Sequence, residues 1–186
     1  MSKKNPYVRS ALPLDAVILG IDSAATSGWV VLAPLLCDGR WRDHRLSAFG
    51  SVRTPSGRRH AIHNAQNLSL RLGAPLIAVG ESWVGTGSMS SMSIAGLGAS
   101  WGRWAEQLEI AGHPKARTLR LDTGTWRQQI FGKSIMNTKV AKAKAISWAR
   151  ARHGVTMTDD EAEAACIAQV ASRWEQARRK LPKAFR

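Results

Sequence analysis

Two short apolar runs that each stop on a carboxylate set the strongest limit on how this chain can fold. They are AVILGID, ending on Asp22, and LIAVGE, ending on Glu81. Before the acid neither run contains a polar side chain, and both are rich in branched aliphatics, which is how a strand covered on both faces reads. Such strands belong in the middle of a sheet with helices packed on either side. An acid at the carboxyl end of a central strand lies where open α/β sheets bind ligands. An aspartate there also serves as a turn residue bonding its own backbone, and a glutamate can simply mark the strand's exit. Recurrence at two strands favours a shared site.

The rest of the chain supplies a sheet around these two strands. After Asp22 the chain turns through SAATSG into WVVLAPL, and Asp38-Gly39 supplies a turn before RLSAFGSVRT, which predicts three antiparallel strands in a meander. Helical spacing runs from about Arg58 to Leu72 and stops at Gly73-Ala74-Pro75. Beyond Glu81 a loop of Gly, Ser and Met, too small and flexible to pack firmly, leads to a helix from about Ile94 to Ala111. The strand ARTLRL follows, then a short helix around Thr125 to Phe131, then helices over Thr138 to His153 and Asp159 to Arg179 separated by Gly154. The expected class is α/β, a mixed five-stranded sheet flanked by helices. A length of 186 residues suits one core and not two. The domain is expected over residues 14–180, with a basic mobile arm at 1–13 and a basic tail at 181–186.

The last helix adds two more acids. Thr158 with Glu161 makes a capping box, and Asp159 and Asp160 suit the positive end of the helix dipole, so these three acids have a structural explanation. Glu163 lies beyond that first turn. At about 3.6 residues per turn, Asp160 and Glu163 share the face of Ile167, Val170 and Trp174, the expected buried face, while Asp159 and Glu161 project to either side. Burying carboxylates without partners costs several kcal/mol, so Asp22, Glu81, Asp160 and Glu163 read as oxygen ligands for one or two hard cations, Mg²⁺ or Mn²⁺. Two such ions, roughly 3.5 to 4 Å apart, can activate water and stabilise the leaving oxygen of an in-line phosphoryl displacement.

Charge points to the substrate. With 27 Lys+Arg against 13 Asp+Glu, the formal net charge is +14, which suits a polyanionic partner. Nucleic acid is favoured over a membrane, because AVILGI and WVVLAPLLC fall well short of the roughly 20 residues of a spanning helix. The start, MSKKNPYVRS, has no apolar run behind it and does not read as a secretory signal. The two cysteines, Cys37 and Cys166, form no CxxC and suggest neither a disulfide framework nor a zinc site. A reducing, cytoplasmic setting is expected. In the helix from Thr138, Lys139, Lys142 and Arg150 fall within one face opposite Ala141, Ala145 and Trp148, and no acid lies at i,i+4 to neutralise them. Lys133 is grouped with them as a candidate nucleic-acid contact, whereas Arg58, Arg59 and the run Arg178, Arg179, Lys180 are less specific. Of the eight tryptophans most are expected in the core or an interface, and Trp83, beside the strand-end acid, is the base-stacking candidate. The scattered histidines receive no catalytic role.

In order along residues 16 to 170, GIDSAATSGWVV, AVGES and DDEAEAACIA resemble the RuvC family of Holliday junction resolvases, within the ribonuclease H-like superfamily and similar to the small resolvases of bacteria and their phages. The first motif alone also fits actin-like ATPases and sugar kinases, but this length cannot hold their two lobes. The acidic helix with an upstream strand-end Glu is more specific. The resemblance implies a ribonuclease H-like fold and a metal-dependent, structure-selective endonuclease. Such an enzyme resolves four-way DNA junctions by paired symmetric nicks, leaving a 5′-phosphate and a 3′-hydroxyl. Carried over, Asp22 bridges two ions, Glu81 and Asp160 each complete one, and Glu163 completes a shell or orients water. Lys139 stabilises charge on the phosphate and Arg127 contacts DNA. A homodimer is implied, with Ala95, Gly96, Gly98 and Ala99 permitting close helix approach. Two positions depart from the family. Glu163 stands where it has Asp, which makes Asp159 a candidate compensating ligand, and Val84 beside Trp83 stands at the aromatic wedge. The alternatives are a nuclease of this fold acting on flaps, forks or RNA–DNA hybrids, a non-catalytic junction-binding protein and, more distantly, an ATPase fragment.

Overall fold

The strand β1 (Val17–Asp22) is buried at all six positions and forms the middle of the sheet. The computed structural model describes residues 9, 13–37, 40–82, 91–132 and 137–185. From β1 the chain continues through β2 (Ser27–Cys37), β3 (Arg40–Val52), α1 (Pro55–Leu72), β4 (Leu76–Ser82), α2 (Ser91–Ile110), β5 (Thr118–Asp122), α3 (Thr123–Phe131), α4 (Thr138–His153), α5 (Asp159–Ala171) and α6 (Glu175–Lys180). The five strands lie in the order β3-β2-β1-β4-β5. The first three form the expected antiparallel meander, and β4 and β5 add in parallel on the other side of β1.

This topology brings the two strand-end acids together. In the parallel pair β1–β4, Ile21 stands opposite Gly80, so Asp22 and Glu81 leave the sheet side by side at the same edge. Each core aliphatic of these strands contributes about 1.5–3 kcal/mol by leaving water, which anchors the backbone that presents the acids.

Helices cover both faces. On one, Ile62 and Leu68 of α1 and Trp104 and Leu108 of α2 pack over Val17, Leu19, Ile21 and Val31. On the other, α5 lies against Ile18, Val30, Leu32 and Val79, backed by Ala145 and Ala149 of α4. The approach of α5 is close because both surfaces are small. A Cβ on Gly20 would overlap the Ala164 carbonyl and the Ala168 methyl, and one on Gly28 would overlap the backbone of Asp160.

One predicted element divides. The helix expected over Asp159 to Arg179 stops at Ala171 and resumes at Glu175. The Ser172 hydroxyl donates to Gln169 O at 2.7 Å, while the Ser172 carbonyl accepts from Leu14 N at 2.7 Å. Trp174 is extended and bridges Arg9, and Arg178 donates to Pro13 O at 3.1 Å. Chain from ahead of β1 thus bonds backbone groups at the break. Trp174 is buried in this extended conformation, so the apolar period continues through the interruption. Of the terminal segments, residues 1–8, 10–12 and 186 lie outside the described residues, and Leu181 is buried. Among the described residues no helix is long and apolar enough to cross a membrane.

Candidate metal and nucleic-acid site

Asp22 is the centre of an acidic cluster. It is 3% exposed and lies opposite Gly28 of β2, the residue against which the backbone of Asp160 packs. Burial, and then the charges of Glu81, Glu163 and Asp160, push its carboxyl well above the usual range. The N-terminal end of α5 is therefore seated beside the end of β1, held by the capping box in which Thr158 Oγ1 accepts from Glu161 N and Glu161 Oε2 accepts from Thr158 N at 2.9 Å. Ser51 of β3 also donates to Glu161 Oε1 at 2.9 Å, so Glu161 is wholly engaged in fixing the helix.

Glu81 is held from α3. Trp126 Nε1 donates to Glu81 Oε1 at 2.9 Å, and Thr123 adds a second side-chain hydrogen bond. Burial still raises its carboxyl above the ordinary value. These donors arrive because β5 runs parallel to β4 with Leu121 opposite Glu81, and α3 starts directly at its end, capped by Asp122 on Thr125 N at 3.0 Å. The next residue of α3, Arg127, donates to Glu163 Oε1 at 3.2 Å with its guanidinium 5.2 Å from the Trp126 ring centre. Burial and then the Glu81 charge push Glu163 up to about 7. From α4, Lys142 Nζ donates to Asp159 Oδ2 at 2.6 Å and to Asp160 Oδ1 at 3.0 Å. Burial opposes its charge, but those bonds hold the ammonium above its ordinary pKa.

Buried carboxylates whose repulsion lifts Asp22 form the setting that a divalent cation relieves, and the donors are hard oxygens. In donor chemistry the set suits a hard divalent cation. Among the described residues no three acidic, histidine or cysteine side chains are placed so that together they could hold a metal ion.

No family model and no curated protein matches the sequence. Among solved structures, the Thermus thermophilus RuvC structure is similar at a TM-score of 0.55 and 18% identity, covering 83% of this chain and 92% of that one. T. thermophilus RuvC in complex with Holliday junction substrate is similar at 0.57 and 18% identity, covering 85% and 93%. This chain has the ribonuclease H-like fold of RuvC.

The RuvC fold distributes the sequence-predicted residues unevenly. Asp22, Glu81, Asp160 and Glu163 are brought together, with Asp22 feeling the charges of the other three and Glu163 that of Glu81. Asp159 points to Lys142 at the rim. Lys139 is exposed on the first turn of α4, and the lysine that reaches the acids is Lys142, one turn along. Arg150 is exposed near the far end of that helix. Arg127 lies inside the cluster against Glu163. Arg58 is only 1% exposed, with its guanidinium 5.9 Å from the Trp104 ring centre, and so is withdrawn from any surface contact. Trp83, Val84 and Lys133 lie outside the described residues.

Sequence reasoning missed Trp126 and Thr123 as site residues. The available signal was their place immediately after a strand predicted to join the sheet, where the start of α3 falls next to the strand-end Glu81.

Proposed function

We propose that the protein is a divalent-metal-dependent endonuclease that resolves four-way DNA junctions by paired symmetric nicks, acting in the cytoplasm through the nuclease domain at residues 14–180. The observation that carries this reading is Asp22, its carboxyl raised first by burial and then by the surrounding Glu81, Glu163 and Asp160, at the edge of a RuvC fold. The RuvC structure bound to Holliday junction substrate supports branched DNA as the ligand class. So does a net charge of +14.

Two Mg²⁺ (or Mn²⁺) ions, when bound, would supply activation of water and charge stabilisation at the leaving 3′ oxygen. Asp22, Glu81, Asp160 and Glu163 are the residues that would hold them. Trp126 and Thr123 orient Glu81, and the capping box keeps Asp160 facing Asp22. Lys142 at the cluster and Lys139 outside it offer positive charge to the phosphate. Products are a 5′-phosphate and a 3′-hydroxyl.

Two symmetric cuts need two sites, which a two-fold homodimer supplies. The exposed face of α2 suits this role, because Ala95, Gly96, Gly98 and Ala99 lie on its surface and a Cβ on Gly96 or Gly98 would meet nothing.

The test is cleavage of labelled four-way junction, flap, fork and RNA–DNA hybrid substrates with Mg²⁺, Mn²⁺ or EDTA. Symmetric junction nicks that vanish in EDTA and in Asp22→Asn support the proposal, and preferential cutting of flaps, forks or hybrids replaces it. A non-catalytic junction-binding protein is favoured by one observation, the Arg127–Glu163 pair at 3.2 Å, which occupies a proposed metal ligand. Tight junction binding with no cleavage in either metal would establish that second reading.

A further inference from the structure

Two acids of the site are already neutralised by cations of this chain. Lys142 Nζ lies 2.6 Å from Asp159 and 3.0 Å from Asp160, and Arg127 lies 3.2 Å from Glu163 in a pair whose side chains are 11% and 8% exposed. Among the described residues no salt bridge forms to Asp22 or Glu81; the side-chain donors to the Glu81 carboxylate are the neutral Trp126 and Thr123, while Arg120 donates to the Glu81 carbonyl at 3.4 Å. The cluster therefore has two halves. In the strand half, among the described residues, neither carboxylate is ion-paired, and the charges of Lys142 and Arg127 reach Asp22 and Glu81 only from their contacts with the other acids; the helix half carries its counter-ions in direct contact.

Resting on the reading of this site as a metal centre for DNA cleavage, the geometry points to Lys142 and Arg127 as exchangeable counter-ions. They neutralise Asp160 and Glu163 while DNA is absent, and on binding each carboxylate passes to the metal and each base to a DNA phosphate. The exchange leaves no buried charge unpaired at either end, which avoids the several kcal/mol cost of breaking a buried ion pair outright. Arg127 suits the transfer because its planar fork accommodates carboxylate and phosphate alike. Its contact with the Trp126 ring, 5.2 Å to the centre, keeps the guanidinium at the site once Glu163 is released. Lys142 sits on α4 together with the exposed Lys139, the side from which a phosphate arrives.

The consequence is thermodynamic coupling. If the bases compete with metal for Asp160 and Glu163, metal binds the free protein weakly and DNA tightens it, and metal tightens DNA by the same factor. This makes Lys142 and Arg127 positioning residues whose removal strengthens metal binding, the opposite of what loss of a supporting contact does.

The experiment is Mn²⁺ titration of the full-length, DNA-free protein by calorimetry or electron paramagnetic resonance. Lys142→Met should tighten Mn²⁺ about fivefold, the upper range for a partly exposed pair, and Arg127→Met about tenfold or more because its pair is buried. Arg127→Lys keeps the charge and should stay within about twofold of the unaltered protein. Unchanged or weaker Mn²⁺ binding in Lys142→Met, with an unaltered melting curve, overturns the counter-ion role. Asp22→Asn separates this from failure of the site itself. Mn²⁺ binding that ignores Asp22→Asn removes the metal centre, whereas Asp22-dependent binding that ignores Lys142→Met removes only the exchange.

Discussion

Replacing Trp126 by phenylalanine takes one N–H out of the site while keeping an aromatic ring in the core. The indole donates to Glu81 Oε1 at 2.9 Å with both side chains buried, and the ring meets Phe131 edge-on at 5.9 Å between centres. A hydrogen bond to a charged group contributes about 1.5–3 kcal/mol. Losing the N–H should therefore raise the Glu81 carboxyl further, on top of the rise that burial already causes. A protonated carboxyl does not hold a hard cation. The acid limb of Mn²⁺ binding should move to higher pH, and affinity near neutrality should fall about 10–100-fold, as for other residues that orient a metal ligand. Calorimetric Mn²⁺ titrations across the acid and neutral range read both effects. The smaller ring should also cost about 1 kcal/mol or more of stability through the void it leaves. If the melting temperature falls but the acid limb stays in place, Trp126 only packs, and Glu81 is not oriented through it.

Three further outcomes are expected. Burial and the Glu81 charge hold Glu163 up at about 7, so the folded protein binds this proton more tightly than the unfolded chain; the stabilisation is complete below the ordinary glutamate pKa and is lost as pH rises through about 7. In EDTA, Glu163→Gln should accordingly gain stability relative to the unaltered protein between about pH 5 and 8, by a few kcal/mol at most, and a pH-independent difference in melting rejects this. Gly28→Ala drives a Cβ into the backbone of Asp160 and Glu161, so it should cost about 1–3 kcal/mol and abolish Mn²⁺ binding by displacing the start of α5, as calorimetry and thermal melting would read. Gly96→Leu, on the open face of α2, should leave the melting of the monomer unchanged but reduce sedimentation as a dimer, and an unaffected dimer places the interface elsewhere.

The sheet was legible because its two central strands are apolar without interruption. AVILGI and LIAVG allow one environment only, burial on both faces; short turns set the antiparallel start, and the intervening helical segments set the parallel continuation. The divided last helix was not legible. Its apolar period passes unbroken from Val170 to Trp174, and what ends α5 is a partner from the far end of the chain, Leu14 bonding the Ser172 carbonyl. Local periodicity carries no information about such a partner. The same limit explains α5 itself, where Glu161 through Ala168 are all buried and not only one stripe, because glycines on β1 and β2 admit the helix unusually close to the sheet.

The four acids were legible for a related reason, since an acid at the end of an apolar strand or on a buried face conflicts with the hydrophobic pattern and so reveals itself. Their partners obey the pattern and stay hidden. Trp126 reads as an ordinary core aromatic and in fact is one, with no exposure at all; only its single N–H, aimed at Glu81, serves the site. Lys142 and Lys139 stand three positions apart on one polar face, and the choice between them depends on how α4 is rotated against α5. Ala141, Ala145 and Ala149, all buried, set that rotation and turn Lys142 towards Asp160. Spacing by itself could name the basic face of the helix but not which lysine reaches the acids, because that is decided by which alanines pack. The Lys142→Met titration thus tests a packing register as directly as it tests a charge.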